Sequence, residues 1–245
     1  ALSGDGSRVA IGATGNDGDN VVNSGHVRIY DLVDGAWTKV GADIDGEAAG
    51  DFSGQSVALS SNGSRVAIGA TGNDGNGDNG GNSGHVRIYD LVDGAWTKVG
   101  ADIDGEAAGD FSGLSVALSS DGSRVAIGAP DNEGDNGVDS GHVRIYDLVD
   151  GAWTKVGSDI DGEAAGDYSG LSVALSSNGS RVAIGAYSND GNGSNAGHVR
   201  IYDYNGSSWT QVGVDIDGEA AGDSSGYSVA LSSNGSRVAI GARYN

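Results

Sequence analysis

Four copies of the pattern D-x-D-G-E-x-x-x-D set carboxylates at positions 1, 3, 5 and 9. They are Asp43, Asp45, Glu47 and Asp51; Asp102, Asp104, Glu106 and Asp110; Asp159, Asp161, Glu163 and Asp167; and Asp215, Asp217, Glu219 and Asp223. Closely spaced hard oxygens are the donor set of calcium loops, so each copy is a candidate Ca2+ site. The glycine stands at position 4, however, not at position 6 as in an EF-hand. Asp43 and Asp45 also flank Ile44, as the solvated face of a strand would. An acidic strand edge is the plainer reading.

A second candidate is the loop holding Asn73, Asp74, Asn76 and Asp78, whose side chains and carbonyls could wrap a hard cation or line a ligand site. Its plainer reading is a hydrophilic surface loop. The four histidines, His26, His85, His142 and His198, recur at one strand position and would be spread around a repeat array. They are expected to pack within or between units rather than to share one coordination sphere. No Ser/His/Asp set stands out, because each residue type recurs in every unit. The sequons at Asn62, Asn178, Asn192, Asn205 and Asn234 are glycosylation candidates in a secreted eukaryotic protein. Asn62, Asn178 and Asn234 also fall where a tight turn wants Asn-Gly.

These residues ride on a repeat. SRVAIGA occurs with its arginine at Arg8, Arg65, Arg124, Arg181 and Arg237, and GHVRIYD with its histidine at the four positions above. The separation from histidine to the next tryptophan is 11 residues in every unit, and from tryptophan to the next of these arginines it is 28. Only the arginine-to-histidine span varies, at 18, 20, 18 and 17 residues. All length variation therefore lies in one Gly/Asn/Asp-rich surface loop per unit.

The constant segments alternate and are rich in β-branched residues. Val66 and Ile68 point one way, and Ala67 and Gly69 the other. Val86 and Ile88 share a face opposite His85, Arg87 and Tyr89. The small face of RVAIGA would admit a neighbouring sheet closely. Asn-Gly and Asp-Gly turns between segments predict hairpins. Each unit reads as four antiparallel strands, SVALS, RVAIGA, HVRIYDL and WTKVGADI, with no helical period. Four-stranded units at a period of 56 to 59 residues predict an all-β fold, a β-propeller of four-stranded antiparallel blades. A stacked β-solenoid is the alternative. The tryptophans are expected to pack blade against blade; exposed, they could stack on sugars.

The run Phe111-Ser112-Gly113-Leu114-Ser115-Val116-Ala117, continuing to Ile127-Gly128-Ala129-Pro130, resembles the FG-GAP repeat of integrin α-subunit propellers, with an extra serine inside the FG pair. The aromatic is kept as Phe52, altered to Tyr168 and replaced by Ser224; only Pro130 completes the final triplet. The resemblance implies a propeller that binds ligands on one face. The family's D-x-D-x-D-G-x-x-D metal loop is missing. Its place holds Asn62-Gly63, Asp121-Gly122, Asn178-Gly179 and Asn234-Gly235. The family's strand order puts the variable loops and the acidic segments on the same face.

The 245 residues divide into blades near 1–53, 54–112, 113–169, 170–225 and 226–245, about four and a half units. The chain begins without Met inside a repeat, so it reads as a segment of a longer protein. A seven-bladed ring would need about 400 residues at this period. Glycine is 46 of the 245 residues, with 1 Pro and no Cys, which excludes collagen and any disulfide frame. The net charge of −21 argues against nucleic acid, and no apolar run is long enough for membrane insertion by a helix.

The expected function is non-enzymatic: an extracellular or cell-surface adhesion propeller with an acidic, calcium-supported face for a protein or glycan ligand. The alternative is a structural subunit of an extracellular filament, sheath or surface layer that self-associates through open blade ends.

Overall fold

The computed structural model describes residues 1–18, 21–75 and 81–245. Among them every regular element is a strand, and no helix is long and apolar enough to cross a membrane. Three complete blades recur. The second blade pairs Ser53–Leu59 with Arg65–Ala70, that strand with His85–Val92, and His85–Val92 with Ala95–Lys98, all antiparallel. The third and fourth blades repeat this order from Ser115–Leu118 and from Ser172–Leu175. The first unit contributes Arg8–Ala13, His26–Val33 and the outer strand, and the last contributes Ser225–Leu231 and Val238–Ala242.

The outer strand departs from the sequence expectation. WTKVGADI is broken into Ala95–Lys98, which pairs with Tyr89–Val92, and Ile103–Asp104, which pairs with His85 and Val86. Gly100 causes the break. Its φ is +74°, and a Cβ there would meet Trp153 Cδ1 of the next blade at 2.8 Å. The glycine's left-handed backbone turns the outer chain away from the ladder. The fourth unit breaks at the same place, at Gly213 with φ +77° and open space around it, so the neighbouring tryptophan packs into the bend and does not cause it. It returns to pair two residues out of register, leaving an acidic residue on each side of Ile103.

The alternation of the strands sets how blades pack. Val66, Ile68 and Tyr89 face the preceding blade and meet Val27, Ile29 and Ile44. Val86, Ile88 and Ile103 face the following blade and meet Val125 and Ile127. Val143, Ile145 and Ile160 meet Val182, Ile184 and Tyr202 in the same way. The core is thus a series of layers between blades. Burial of each of these side chains stabilises by roughly 1.5–3 kcal/mol.

Polar groups fix the same junctions. Trp96, Trp153 and Trp209 donate their indole N–H to the carbonyls of Val40, Val99 and Val156 in the preceding blade, at 2.9 to 3.0 Å. Arg124 forks onto both carboxylate oxygens of Asp147 in its own blade and reaches the Gly179 carbonyl of the next at 2.9 Å. Arg65 and Arg181 repeat that arrangement. This is why the arginine of SRV and the aspartate of RIYD recur together: the bidentate geometry needs a guanidinium facing a carboxylate across one register pair.

Candidate functional site

His85 and Arg87 share the strand face that looks at the preceding blade, and Glu47 approaches them from that blade. Arg87 Nη1 lies 3.2 Å from Glu47 Oε1, and Nη2 donates to the Asp45 carbonyl at 2.8 Å. Asp102, at the start of the returning outer strand, accepts from Lys98 Nζ at 2.8 Å. The result is a cluster of Glu47, His85 and Asp102, with one potential ligand atom from each within 4.8 Å of the others. Glu106, His142 and Asp159 form the same group one junction on, and Glu163, His198 and Asp215 the next. Among the described residues, three groups of one histidine and two carboxylates could therefore hold a metal ion.

The histidines are buried at 1 to 2% exposure, and their Nε2 atoms have no hydrogen-bond partner among the described residues. Burial pushes all three below the usual histidine range, and the adjacent Arg87, Arg144 or Arg200 pushes the same way; neighbouring carboxylates only partly oppose this. Neutral imidazoles thus sit at the buried end of each group, with the carboxylates toward solvent. Neutral imidazole is the form that ligates metals.

The four carboxylates of each D-x-D-G-E-x-x-x-D copy divide among separate tasks. The first, as Asp43, Asp102 and Asp159, is ion-paired with Lys39, Lys98 and Lys155; Asp215 accepts instead from Gln211 Nε2. Arg28 and Lys39 together hold the Asp43 carboxyl down at about 2. The second, Asp45, Asp104, Asp161 and Asp217, lies in the short outer strand opposite a histidine. Burial raises Asp104 and Asp161 above the usual carboxylate range. The third, as Glu47, Glu106 and Glu163, crosses to the next blade, and it is exposed there as Glu219 is in the last copy. The fourth, Asp51, Asp110, Asp167 and Asp223, is buried and accepts backbone N–H groups of its own loop. What converges is Glu of one copy with His and Asp of the following unit.

The variable loop and the acidic segment of each unit are joined by backbone bonds. Gly166 N donates to the Val138 carbonyl, Tyr168 N to Asp139, Gly222 N to Ser194 and Ser224 N to Asn195. Across to the following unit, Asn189 Nδ2 in its variable loop donates to Asp167 at 2.9 Å. Beside this joint a cleft of about 480 Å³ is lined by Glu163, Asp167, Ser188, Asn189, Asp190 and Asn195, among others. In the loop singled out from sequence, Asn73 Oδ1 accepts from Gly75 N and Asp74 Oδ1 from Asn82 N; Asn76 and Asp78 lie outside the described residues. One unit earlier than the cleft, burial, with Asp139 and Asp110 nearby, pushes the Asp131 carboxyl up to about 6.

The sequon asparagines have local tasks. Asn62, Asn178 and Asn234 accept from the N–H two residues on, closing their turns. Asn205 accepts from Ser207 N and Ser208 N, and Asn192 Nδ2 donates to the Gly218 carbonyl. The sequence sets the histidines aside as packing residues and does not single out the arginines two positions after them or Gln211. The signal for Gln211 was available: it stands alone where the other units have lysine.

Residues 159–202 match the FG-GAP repeat family, in agreement with the resemblance read from the motifs. No curated protein matches the chain significantly in sequence. Among solved structures, a protein from Bacteroides uniformis provisionally named a 6-phosphogluconolactonase is similar with a TM-score of 0.60 and 14% identity, over 98% of this chain and 56% of that one. A protein from Bacteroides fragilis with the same provisional name gives 0.52 and 12%, over 91% and 55%. The β-propeller domain of Myceliophteria thermophila Cps50 (Swd1) gives 0.52 and 11%, over 91% and 62%. The chain thus spans little more than half the length of these structures. At such identities the likeness concerns fold alone, and the fold is an array of β-propeller blades. It also corrects the expectation that the chain is not an enzyme. Two of these neighbours bear an enzyme's name on a similar frame, so the propeller frame is no ground for excluding catalysis.

Proposed function

We propose that this β-propeller array is a binding module of the extracellular space or cell surface, and that its loop-bearing face takes up a positively charged protein or glycan ligand. The observation that carries the reading is the hydrogen-bonded joint between the variable loop and the acidic segment of each unit, with the acid-lined cleft beside it. A constant frame that presents loops of variable length is the arrangement binding propellers use. Glu163 and Asp190 are exposed at the cleft, and no lysine stands on either segment, so a cationic partner gains Coulomb attraction on approach. Calcium support is not part of this reading. Each described cluster offers two carboxylates and a nitrogen, short of the roughly six to eight oxygens that Ca2+ takes.

The test is binding of the chain, by biolayer interferometry, to an immobilised Lys/Arg-rich peptide, an amino-bearing glycan and an acidic glycan. Binding to a cationic probe should weaken from ~50 to ~200 mM salt as screening shortens the field. Asp190→Asn, which keeps the oxygen that Asn195 N donates to, should weaken it further. Equal binding to acidic and basic probes, or no binding to either cationic probe, refutes the proposal.

A further inference from the structure

We infer that the junction between the third and fourth blades is a site for a zinc-class divalent ion, held by Glu163, His198 and Asp215. His198 Nδ1 lies 3.9 Å from Glu163 Oε2 and 3.9 Å from Asp215 Oδ2. Those distances are too long for hydrogen bonds, and neither ring nitrogen has a partner among the described residues although both are buried. A buried imidazole left unsatisfied costs free energy, and here it is aimed at two carboxylates. Zinc bonds of about 2.0–2.2 Å would set such ligand atoms roughly 3.3 Å apart, so each carboxylate closes on His198 by about 0.6 Å, and the three ligand atoms already lie within 4.8 Å of one another. They can do so, because Glu163 and Asp215 are 44% and 29% exposed while His198 is 1% exposed. The exposed side leaves a further coordination position open to solvent.

The donor set selects the metal. One imidazole nitrogen with two carboxylates suits Zn2+ and its neighbours in the first transition row. The charge around the donors selects this junction over the other two. Lys98 and Lys155 sit 2.8 and 2.9 Å from Asp102 and Asp159, so those groups are already neutralised in part by an ammonium. At the corresponding place beside Asp215 stands Gln211, an uncharged donor. Arg200 remains, as its counterparts do at the other junctions. Its Nη1 lies 3.5 Å from Glu163 Oε1, on the opposite oxygen to the one facing His198, and its Nη2 donates to the Asp161 carbonyl.

The experiment is calorimetric titration of chelator-treated protein with Zn2+, backed by the visible spectrum of the Co2+ form. The expected result is one ion per chain. His198→Gln and Glu163→Gln should each weaken binding by about tenfold or more, and His142→Gln should leave it unchanged. Because removing His198 can also disturb packing, Gln211→Lys supplies the decisive variant. It installs the residue found in the other units, so the fold is kept, and it should weaken binding about as much. Lys155→Gln should create a second, weaker site. Absence of Zn2+ binding overturns the assignment, as does binding that neither His198→Gln nor Gln211→Lys reduces.

Discussion

Gly128→Ala tests how closely the blades must approach. Gly128 lies in the second strand of the third blade, and a Cβ there would meet the Gly170 carbonyl oxygen of the fourth at 2.0 Å and Ser115 Oγ at 2.4 Å. Its φ lies outside the left-handed region, so alanine introduces no backbone strain and should even gain about 0.4–1 kcal/mol by restricting the unfolded chain. Any loss therefore reports the gap between blades. To relieve the contact, the Gly170 backbone must retreat by more than ~1 Å, since heavy atoms without a bond or hydrogen bond settle near 3.5 Å. That movement breaks the hydrogen bond from Ser115 Oγ to Gly170 O, 2.7 Å long, and loosens the layer of Val143, Ile145, Val182 and Ile184. Overpacking of this kind costs about 1–3 kcal/mol, and the lost hydrogen bond about 1 more. We expect a net loss of roughly 2 kcal/mol, read by urea denaturation, or a fall of about 4–8 °C in Tm. Gly151→Ala is the control. Its φ is +82° with open space around it, so it bears the backbone cost alone. If Gly128→Ala stays within about 0.5 kcal/mol of the parent, the docking distance is not what the small face of RVAIGA provides.

Three further outcomes follow from the same geometry. Trp153→Phe removes the indole bond to the Val99 carbonyl, 2.9 Å long, and should cost about 1 kcal/mol in chemical denaturation; no change would mean that the bond does not hold the junction. Asp167→Ala removes the acceptor of Ala164 N and Asn189 Nδ2, and should cost about 2 kcal/mol and speed hydrogen exchange at the Ala164 amide; unaltered exchange there would count against the loop joint. Asp131 has a folded-state pKa raised from 3.8 to about 6, so the stability it gives is present below 3.8 and lost as pH climbs to about 6. Asp131→Asn should therefore match the parent in acid and exceed it at neutral pH by roughly 1 kcal/mol after solvent screening, and a pH-independent difference would contradict this.

The frame was legible because its causes are local. Val66 and Ile68 on one face, Val86 and Ile88 on the other, and Asn-Gly between strands fix both the hairpins and the direction each face must be buried. Other features depend on a neighbour one blade away. Nothing in WTKVGADI shows that Trp153 will pack into the bend at Gly100. Nor do the different residues Phe52, Phe111, Tyr168 and Ser224 announce a shared left-handed backbone, with φ of 50° to 54°, at the corner before each inner strand. The site was hidden for the same reason. A reading within one copy groups Asp43, Asp45, Glu47 and Asp51, whereas docking gathers Glu47 with His85 and Asp102 of the next unit. The grouping appears only when the motif is paired with its own translation by one period.

That translation also bears on how a repeat array can acquire a single special position. The face that buries Val66, Ile68 and Tyr89 is the face that carries His85 and Arg87, so packing and chemistry use one surface at every junction. A substitution at the core of that surface would disturb both. The residue beside the first carboxylate of each motif is different: Lys39, Lys98 and Lys155 are about 40% exposed and contribute charge but little packing. Replacing that lysine by Gln211 leaves a donor on Asp215 and removes one positive charge, while the layer of Val143, Ile160, Val182 and Tyr202 beneath is untouched. Symmetry is thus broken where it costs the fold least and alters the electrostatics most.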